Sequence, residues 1–184
     1  MEHKGTVTLE TERLILRRFR MEDAQKIFEN WASDPEVTRY VIWSTHVDVC
    51  VTKTLLETWI PQYENSDYYN WILCLKDTGE PIGNVNAFSE GSYRQGLTLG
   101  YCMGRAWWGQ GYMPEAVRAV MGFLFREVGV NRIQADHDTR NLKSGRVMQK
   151  CGMQYEGTLR QAVVTNAGPA DIAVYSILES EYSE

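Results

Sequence analysis

Apolar residues recur along this chain with two different periods, and each change of period marks a new element. Leu14-Ile15-Leu16-Arg17-Arg18-Phe19 is a compact apolar run that predicts a first strand. Ala24, Ile27, Phe28 and Trp31 then recur at helical spacing, an amphipathic stripe that Asp34-Pro35 breaks. A second helix is predicted after Ser44-Thr45, with Thr45 and Asp48 spaced as a capping box. Val51, Leu55, Leu56, Trp59 and Ile60 would form its apolar face, and Pro61 ends or bends it. Strands are predicted over 71–76, 82–88 and 97–103, with connections short enough for an antiparallel meander. Val117, Val120, Met121, Leu124 and Val128 give the clearest helix, with Gly129 as its stop. A strand over 132–136 precedes a helix carrying Ser144, Val147, Met148 and Cys151 and closing at Gly152. Two β-rich stretches, 154–164 and 172–178, flank a turn at Asn166-Ala167-Gly168-Pro169. With no internal repeat and no linker, the order predicts one α+β domain over 1–184.

Composition narrows the function classes. The 184 residues are 43% hydrophobic and 23% charged, enough to bury a core without disulfides or metals. No apolar run approaches the ~18 residues of a membrane helix, and the polar N-terminus has no signal-peptide core. A cytoplasmic protein with no membrane partner is therefore expected. Net charge is −5 and no run of Lys or Arg stands out, so no nucleic-acid surface is expected either. Mild acidity serves solubility and is compatible with a cationic partner. Cys50, Cys74, Cys102 and Cys151 are widely spaced and His3, His46 and His137 are isolated, which predicts reduced thiols and no metal site.

The most informative segment is Gly104-Arg105-Ala106-Trp107-Trp108-Gly109-Gln110-Gly111-Tyr112-Met113-Pro114-Glu115-Ala116, between a predicted strand and a predicted helix. Glycines let backbone turn sharply and let a ligand approach the amides. Pro114 suits the first helical position, and the free N–H groups of a helix start attract an anion such as a diphosphate. A phosphate-hydrolysing P-loop would need Lys followed by Ser or Thr where Tyr112 and Met113 stand. A dinucleotide fingerprint would need a small residue at Pro114, and it normally opens the first βαβ unit. A glycine turn feeding an ordinary helix is the remaining alternative.

The segment has company that carries a family resemblance. Thr11-Glu12-Arg13-Leu14-Ile15-Leu16-Arg17, then Leu99-Gly100-Tyr101 leading to Trp108-Gly109-Gln110-Gly111-Tyr112 and Glu115-Ala116, resemble the GNAT acyltransferases, in particular their RimJ/RimL-like branch. Asn141-Leu142-Lys143-Ser144, Lys150-Cys151-Gly152-Met153, Gly157-Thr158-Leu159-Arg160 and the closing stretch 171–176 extend the resemblance over about residues 10–180. The sequence departs from the superfamily pattern at Trp108, where Gln or Arg is usual, and at Met113, where Gly or Ala is usual. Cys151 and Met153 replace the usual Leu and Phe around the capping glycine.

The resemblance implies the GNAT (acyl-CoA N-acyltransferase) fold: a mixed, largely antiparallel central sheet, splayed at the CoA site and flanked by helices. It implies acetyl-CoA as co-substrate. The strand ending at Met103 would meet the pantetheine arm, and the amides of Gly109, Gln110, Gly111, Tyr112 and Met113 would hold the diphosphate. Asn141 and Ser144 would lie near the arm and the sulfur, and Ser144 is the candidate acid for the leaving thiolate. Asn141 is equally suited to N-cap the helix it begins, and Ser144 to a tight helix contact. No general base is identified: Glu90, His137, Asp138 and Asp171 are weak candidates. Where some relatives carry a Glu, this chain reads Gln161-Ala162-Val163-Val164. Lys143, Arg146 and Lys150 would reach the ribose phosphate or form a solvated helix face.

The implied reaction is acetyl transfer to a primary amine, such as a protein N-terminus of the ribosomal-protein kind. The alternatives are a small-molecule amine (an antibiotic, polyamine or amino acid) and a non-catalytic acetyl-CoA-binding regulatory module. Trp43, Trp59, Trp71, Tyr40, Tyr68 and Tyr69 would line an acceptor cleft or fill core. An oligomer is compatible with all of these readings.

Overall fold

The computed structural model describes residues 1–89 and 96–182. The first half of the chain builds β1 (Leu9–Glu10), β2 (Leu14–Arg17), α1 (Ala24–Ile27), α2 (Pro35–Thr38), α3 (Val49–Trp59), β3 (Tyr69–Leu75) and β4 (Pro81–Phe88). The second builds β5 (Gly96–Met103), α4 (Tyr112–Phe123), β6 (Arg132–Asp138), α5 (Leu142–Lys150), β7 (Gln154–Thr165) and β8 (Gly168–Leu178). All the strands join one sheet in the order β1-β2-β3-β4-β5-β6-β8-β7. The pairings are antiparallel apart from β5 with β6, which run parallel across the α4 crossover. Among the described residues no helix is long and apolar enough to cross a membrane, and the four cysteines are free thiols.

Side-chain alternation along the strands assigns each face its own core. Tyr69, Trp71, Leu73, Val85, Leu97 and Leu99 pack under α4 with Val117, Val120 and Met121. Ile72 and Cys74, on the other face of β3, pack with Ile27, Trp31 and Leu56 from the helices of the first half. Tyr69 and Trp71 stack on each other and meet Phe123 edge-on, so these two aromatic candidates are core rather than cleft. Trp59 packs against Phe19 and Trp43 against His46. Tyr40 lies under the guanidinium groups of Arg39 and Arg140.

Several local expectations are corrected. The first helix does not continue as regular α-helix to Trp31 but widens into a π turn over Phe28–Ala32, which buries Trp31 and Ala32 together. Asp48, not Thr45, caps α3, because its carboxylate accepts the N–H groups of Cys50 and Val51 at 2.7 and 3.3 Å. On that helix Val51 is 40% exposed, whereas Thr52 is buried and shares a 2.7 Å hydrogen bond with His46 Nδ1. Pro114 stands at the third helical position of α4 rather than the first, still within the turn whose N–H groups lack intrahelical partners. β7 is interrupted between Leu159 and Val163, where Gln161 takes a left-handed φ of 47°.

A charged knot closes the second half of the sheet. Arg132 of β6 donates to both carboxylate oxygens of Glu156 on β7 at 2.7 and 2.6 Å, and to Ser176 Oγ of β8 at 2.8 Å. The Arg132 bonds, assisted by one from Ser176, hold the Glu156 carboxyl down at about 2 from its ordinary 4.5. A depressed carboxyl pKa stabilises the fold above the ordinary value, and that stability disappears as pH falls through the folded value. Glu156→Gln is therefore expected to flatten the loss of stability between about pH 4.5 and 2. An acid titration of the thermal midpoint for both chains checks it. A curve as steep as that of the parent chain would mean the knot carries no acid-labile stability.

Candidate functional site

Parallel strands hold together only while their backbones stay in register. β5 and β6 pair from Gly96 with Arg132 through Leu99 with Ala135. Beyond that point each strand follows a different neighbour. β5 continues beside β4 as far as Met103 opposite Gly83, and β6 continues beside β8 as far as Asp138 opposite Ile172. Two strand edges are thus left facing a gap, and the peptide groups on them need partners from elsewhere.

Side chains bridge this parting. Tyr101 sits on β5 two residues past the last β5–β6 pair and reaches α5. Its hydroxyl donates to the Ser144 carbonyl at 2.9 Å, and Ser144 Oγ donates back to the tyrosine oxygen at 3.0 Å. Burial pushes the Tyr101 hydroxyl far above its ordinary range, so this tyrosine stays protonated. Ser144 therefore spends its proton on Tyr101 in the resting arrangement. Asn141 caps α5, its side-chain oxygen accepting the Ser144 N–H at 3.4 Å. Cys102 is also on this stretch, with its thiol pushed up to about 12 by burial, a neutral group and not a nucleophile.

The glycine turn lies at the mouth of the parting. Gly109 and Gly111 have φ of 77° and 84°, a conformation that side chains with a Cβ resist. Nothing crowds the missing Cβ of Gly109, so its backbone angle alone requires glycine there. Gly111 caps α4 without any side-chain hydrogen bond, and Met113 is buried in the core. The bulk of Met113 consequently points away from the loop amides. Trp108 accounts for another departure from the superfamily pattern. Its indole N–H donates to the Met103 carbonyl at 2.8 Å, and Lys143 of α5 lies 4.1 Å from its ring. One lone pair of the Met103 carbonyl is thereby engaged by the indole.

A clamp from the start of the chain fixes this loop. Glu115, in the first turn of α4, accepts from Thr11 Oγ1 at 2.6 Å, from the Arg13 N–H at 2.9 Å and from Arg13 Nε at 2.7 Å. The same guanidinium donates to the Gln110 carbonyl at 3.0 Å and stacks over the Tyr112 ring at 4.2 Å. Burial pushes the Glu115 carboxyl up, but the bonds from Thr11 and Arg13 outweigh it and hold it below its ordinary value. The sequence offered both halves as motifs without any signal that they touch.

The expected bases fare differently. His137 is buried, its Nδ1 bonded to the Asp138 carbonyl at 2.8 Å and its Nε2 packed against Gly145 of α5, where a Cβ would come within 2.6 Å. It is a packing residue. Asp138 is buried in an ion pair with Arg140 at 2.6 Å; those bonds overcome the upward push of burial and lower its pKa. Asp171 accepts the Gln161 N–H at 2.8 Å at the irregularity in β7. Each of the three already has a hydrogen-bond or ion-pair partner within the fold. Glu90 lies outside the described residues.

The Acetyltransferase (GNAT) domain model matches residues 13–154. A protein of Bacillus subtilis described as uncharacterized N-acetyltransferase YoaA is 33% identical over 171 residues, covering 93% of this chain and 96% of that one. The [Ribosomal protein uS5]-alanine N-acetyltransferase of Escherichia coli is 32% identical over 76 residues, covering 41% of this chain and 39% of that one. Among solved structures, the Microcin C7 self immunity acetyltransferase MccE, determined in complex with acetyl-CoA and AMP, superposes with a TM-score of 0.80 at 18% identity, over 91% of this chain and 93% of that one.

The clamp generates a prediction. Arg13→Met keeps much of the side chain's bulk but removes every charged bond to Glu115 and Gln110. Acetyl-CoA affinity is expected to fall about tenfold by calorimetry, with the far-ultraviolet spectrum unchanged, because the loop loses its anchor while the sheet does not. Unaltered affinity would show that the glycine turn holds its shape alone.

Proposed function

The chain belongs to the GNAT acetyltransferase family, and on that premise we propose that it moves the acetyl group of acetyl-CoA to the free amine of a protein N-terminus. GNAT enzymes use acetyl-CoA, and the observation that supports its seat here is the parting of β5 from β6 beside the uncapped start of α4. The N–H groups of Gly111, Tyr112 and Met113, with the partial positive charge of the helix start, suit a diphosphate. The open edge at Gly100, Tyr101 and Cys102 suits the amide-rich arm. Asn141 turns its amide donors to that arm while its oxygen caps α5. Bound acetyl-CoA supplies an activated acetyl thioester.

Ser144 hands a hydrogen bond to the departing sulfur after a side-chain rotation away from Tyr101. Tyr101 then keeps α5 in place through the Ser144 carbonyl. A serine of ordinary acidity stabilises the sulfur chiefly by that bond.

The acceptor reading draws on the relative that acts on the alanine of a ribosomal protein, and on acidity. An α-amino group has a pKa of about 7.7–8.0 against about 10.4 for lysine. At pH 7 roughly a tenth of it is uncharged, against less than about a thousandth of a lysine, so it needs the weaker base. That suits a site in which His137, Asp138 and Asp171 are already engaged.

Matched peptides test the acceptor. With a free N-terminus, kcat/KM is expected to rise with pH and level off above about 8, following the free amine. A peptide with a blocked N-terminus and one lysine is expected to react far more slowly at neutral pH. Preference for the lysine peptide overturns the reading, and turnover of a small amine alone assigns the enzyme a small-molecule acceptor instead. Separately, Ser144→Ala is expected to lower kcat about 10²-fold while leaving the acetyl-CoA dissociation constant unchanged. An unchanged kcat with chemistry rate-limiting would reduce Ser144 to packing.

A further inference from the structure

The two walls of the parting touch at its mouth through Trp108 and Lys143. Trp108 belongs to the loop between β5 and α4, and Lys143 to the first turn of α5. The indole N–H is pinned to the Met103 carbonyl at 2.8 Å, which fixes the ring as a surface. The Lys143 ammonium lies 4.1 Å from the centre of that ring. An exposed lysine on a helix ordinarily extends into water, where its compact charge is best solvated. Here its end rests on a ring of the opposite wall.

The surroundings give this cation nothing that neutralises it. Among the described residues Lys143 forms no ion pair. α5 carries no Asp or Glu, and Arg146 and Lys150 add two exposed positive charges to it. The helix packs against the start of α4, where Cys151 Sγ donates to the Pro114 carbonyl at 3.6 Å. Lys143, Val147 and Cys151 follow one another at four-residue intervals along that same face. The start of α4 is itself positive, because no side chain caps its N–H groups. The carboxylate of its first turn, Glu115, is taken by Arg13 at 2.6 Å. A cation beside a positive helix end is unfavourable unless an anion comes between them.

We propose that Lys143 binds the diphosphate of acetyl-CoA, and that Trp108 is the positioning residue that keeps its ammonium at the mouth. This rests on acetyl-CoA binding at the parting, as argued above. The loop amides meet the diphosphate from the α4 side and the ammonium meets it from the α5 side. One side of the ammonium rests on the ring, and the other stays free to donate to charged oxygens. Hydrogen bonds of that kind are the strong ones. Lys143 directly precedes Ser144. Anchoring the diphosphate to Lys143 therefore also fixes the helix turn that carries the donor for the departing sulfur.

The test measures acetyl-CoA dissociation constants by calorimetry for the full chain and for Lys143→Met, which keeps a flexible stem and loses the charge. At about 20 mM salt the constant is expected to rise about tenfold, the worth of one charge-assisted hydrogen bond at an exposed site. At about 300 mM salt the two chains are expected to converge, because mobile ions screen an exposed charge. An unchanged constant at low salt overturns the proposal. So does a loss that persists undiminished at high salt, which would be lost packing. Acetyl-dephospho-CoA lacks the ribose phosphate and keeps the diphosphate, and the same loss is expected with it. A loss seen with acetyl-CoA alone assigns Lys143 to the ribose phosphate and overturns the diphosphate contact. Trp108→Phe and Trp108→Leu both lack the indole N–H and differ in the ring. The Leu variant is expected to bind about two- to fivefold more weakly than the Phe variant, and the two to bind alike once Lys143→Met is added. A difference that survives in the Lys143→Met background overturns the positioning role of Trp108. If the parent chain does not bind acetyl-CoA, the reading of the parting as its seat fails by itself. Inorganic pyrophosphate is then the probe, and equal affinity of the parent chain and Lys143→Met for it overturns the role of Lys143.

Discussion

The separation of β5 from β6 after Leu99 and Ala135 imposes a demand that much of the second half of the chain meets. Opening a sheet exposes peptide groups that would otherwise pair, and such an opening persists only where other groups define its walls. Tyr101 and Ser144 tie one strand edge to α5 through reciprocal hydrogen bonds. Trp108 closes the far end by binding the Met103 carbonyl. The peptide groups left between these two fixed points are the ones a ligand with its own amides can satisfy. The fold thus leaves an unpaired stretch of strand edge whose two ends are fixed.

Shape at the mouth of the gap depends on a different economy. A loop with two left-handed glycines is cheap to form and equally cheap to deform. Glu115 removes that freedom by collecting Thr11 and Arg13 from the first strands and binding them to the first turn of α4. Arg13 then holds the loop directly through the Gln110 carbonyl and the Tyr112 ring. Charged groups half-withdrawn from water, with several bonds each, give this junction more rigidity than a lone exposed ion pair provides. The other face of the sheet solves a similar problem with the β7–β8 turn. Asn166 donates to the carbonyls of Thr38 and Trp43 at 2.8 and 2.9 Å, which ties the loop before α3 to the far hairpin.

Four titratable groups of the second half, all among the described residues, share one property: each already has a structural partner. Asp138 belongs to Arg140, Glu115 to Arg13, Glu156 to Arg132, and His137 to the Asp138 carbonyl and Gly145. Drawing a proton onto any of these carboxylates would break a charge-assisted bond, and their lowered pKa values express that resistance.

Sequence by itself determined what local physics controls. Periods of apolar residues located the helices and strands, because an amphipathic face must be buried whatever it packs against. Gly109, Gly111, Gly129 and Gly152 announced left-handed turns through a property of one residue, and all four have positive φ. Asn141 announced its cap for the same reason. Tertiary structure decided whatever depends on residues distant in sequence. Thr52 rather than Val51 is buried because His46 waits for it, and no period encodes that. Thr11 and Arg13 meet Glu115 across a separation of more than a hundred residues. Tyr101 was legible as part of a motif, yet its role as the partner of Ser144 was not. The parting itself is invisible in one dimension. It is fixed by which backbones pair, and pairing between strands is set by the whole sheet rather than by the residues of either strand.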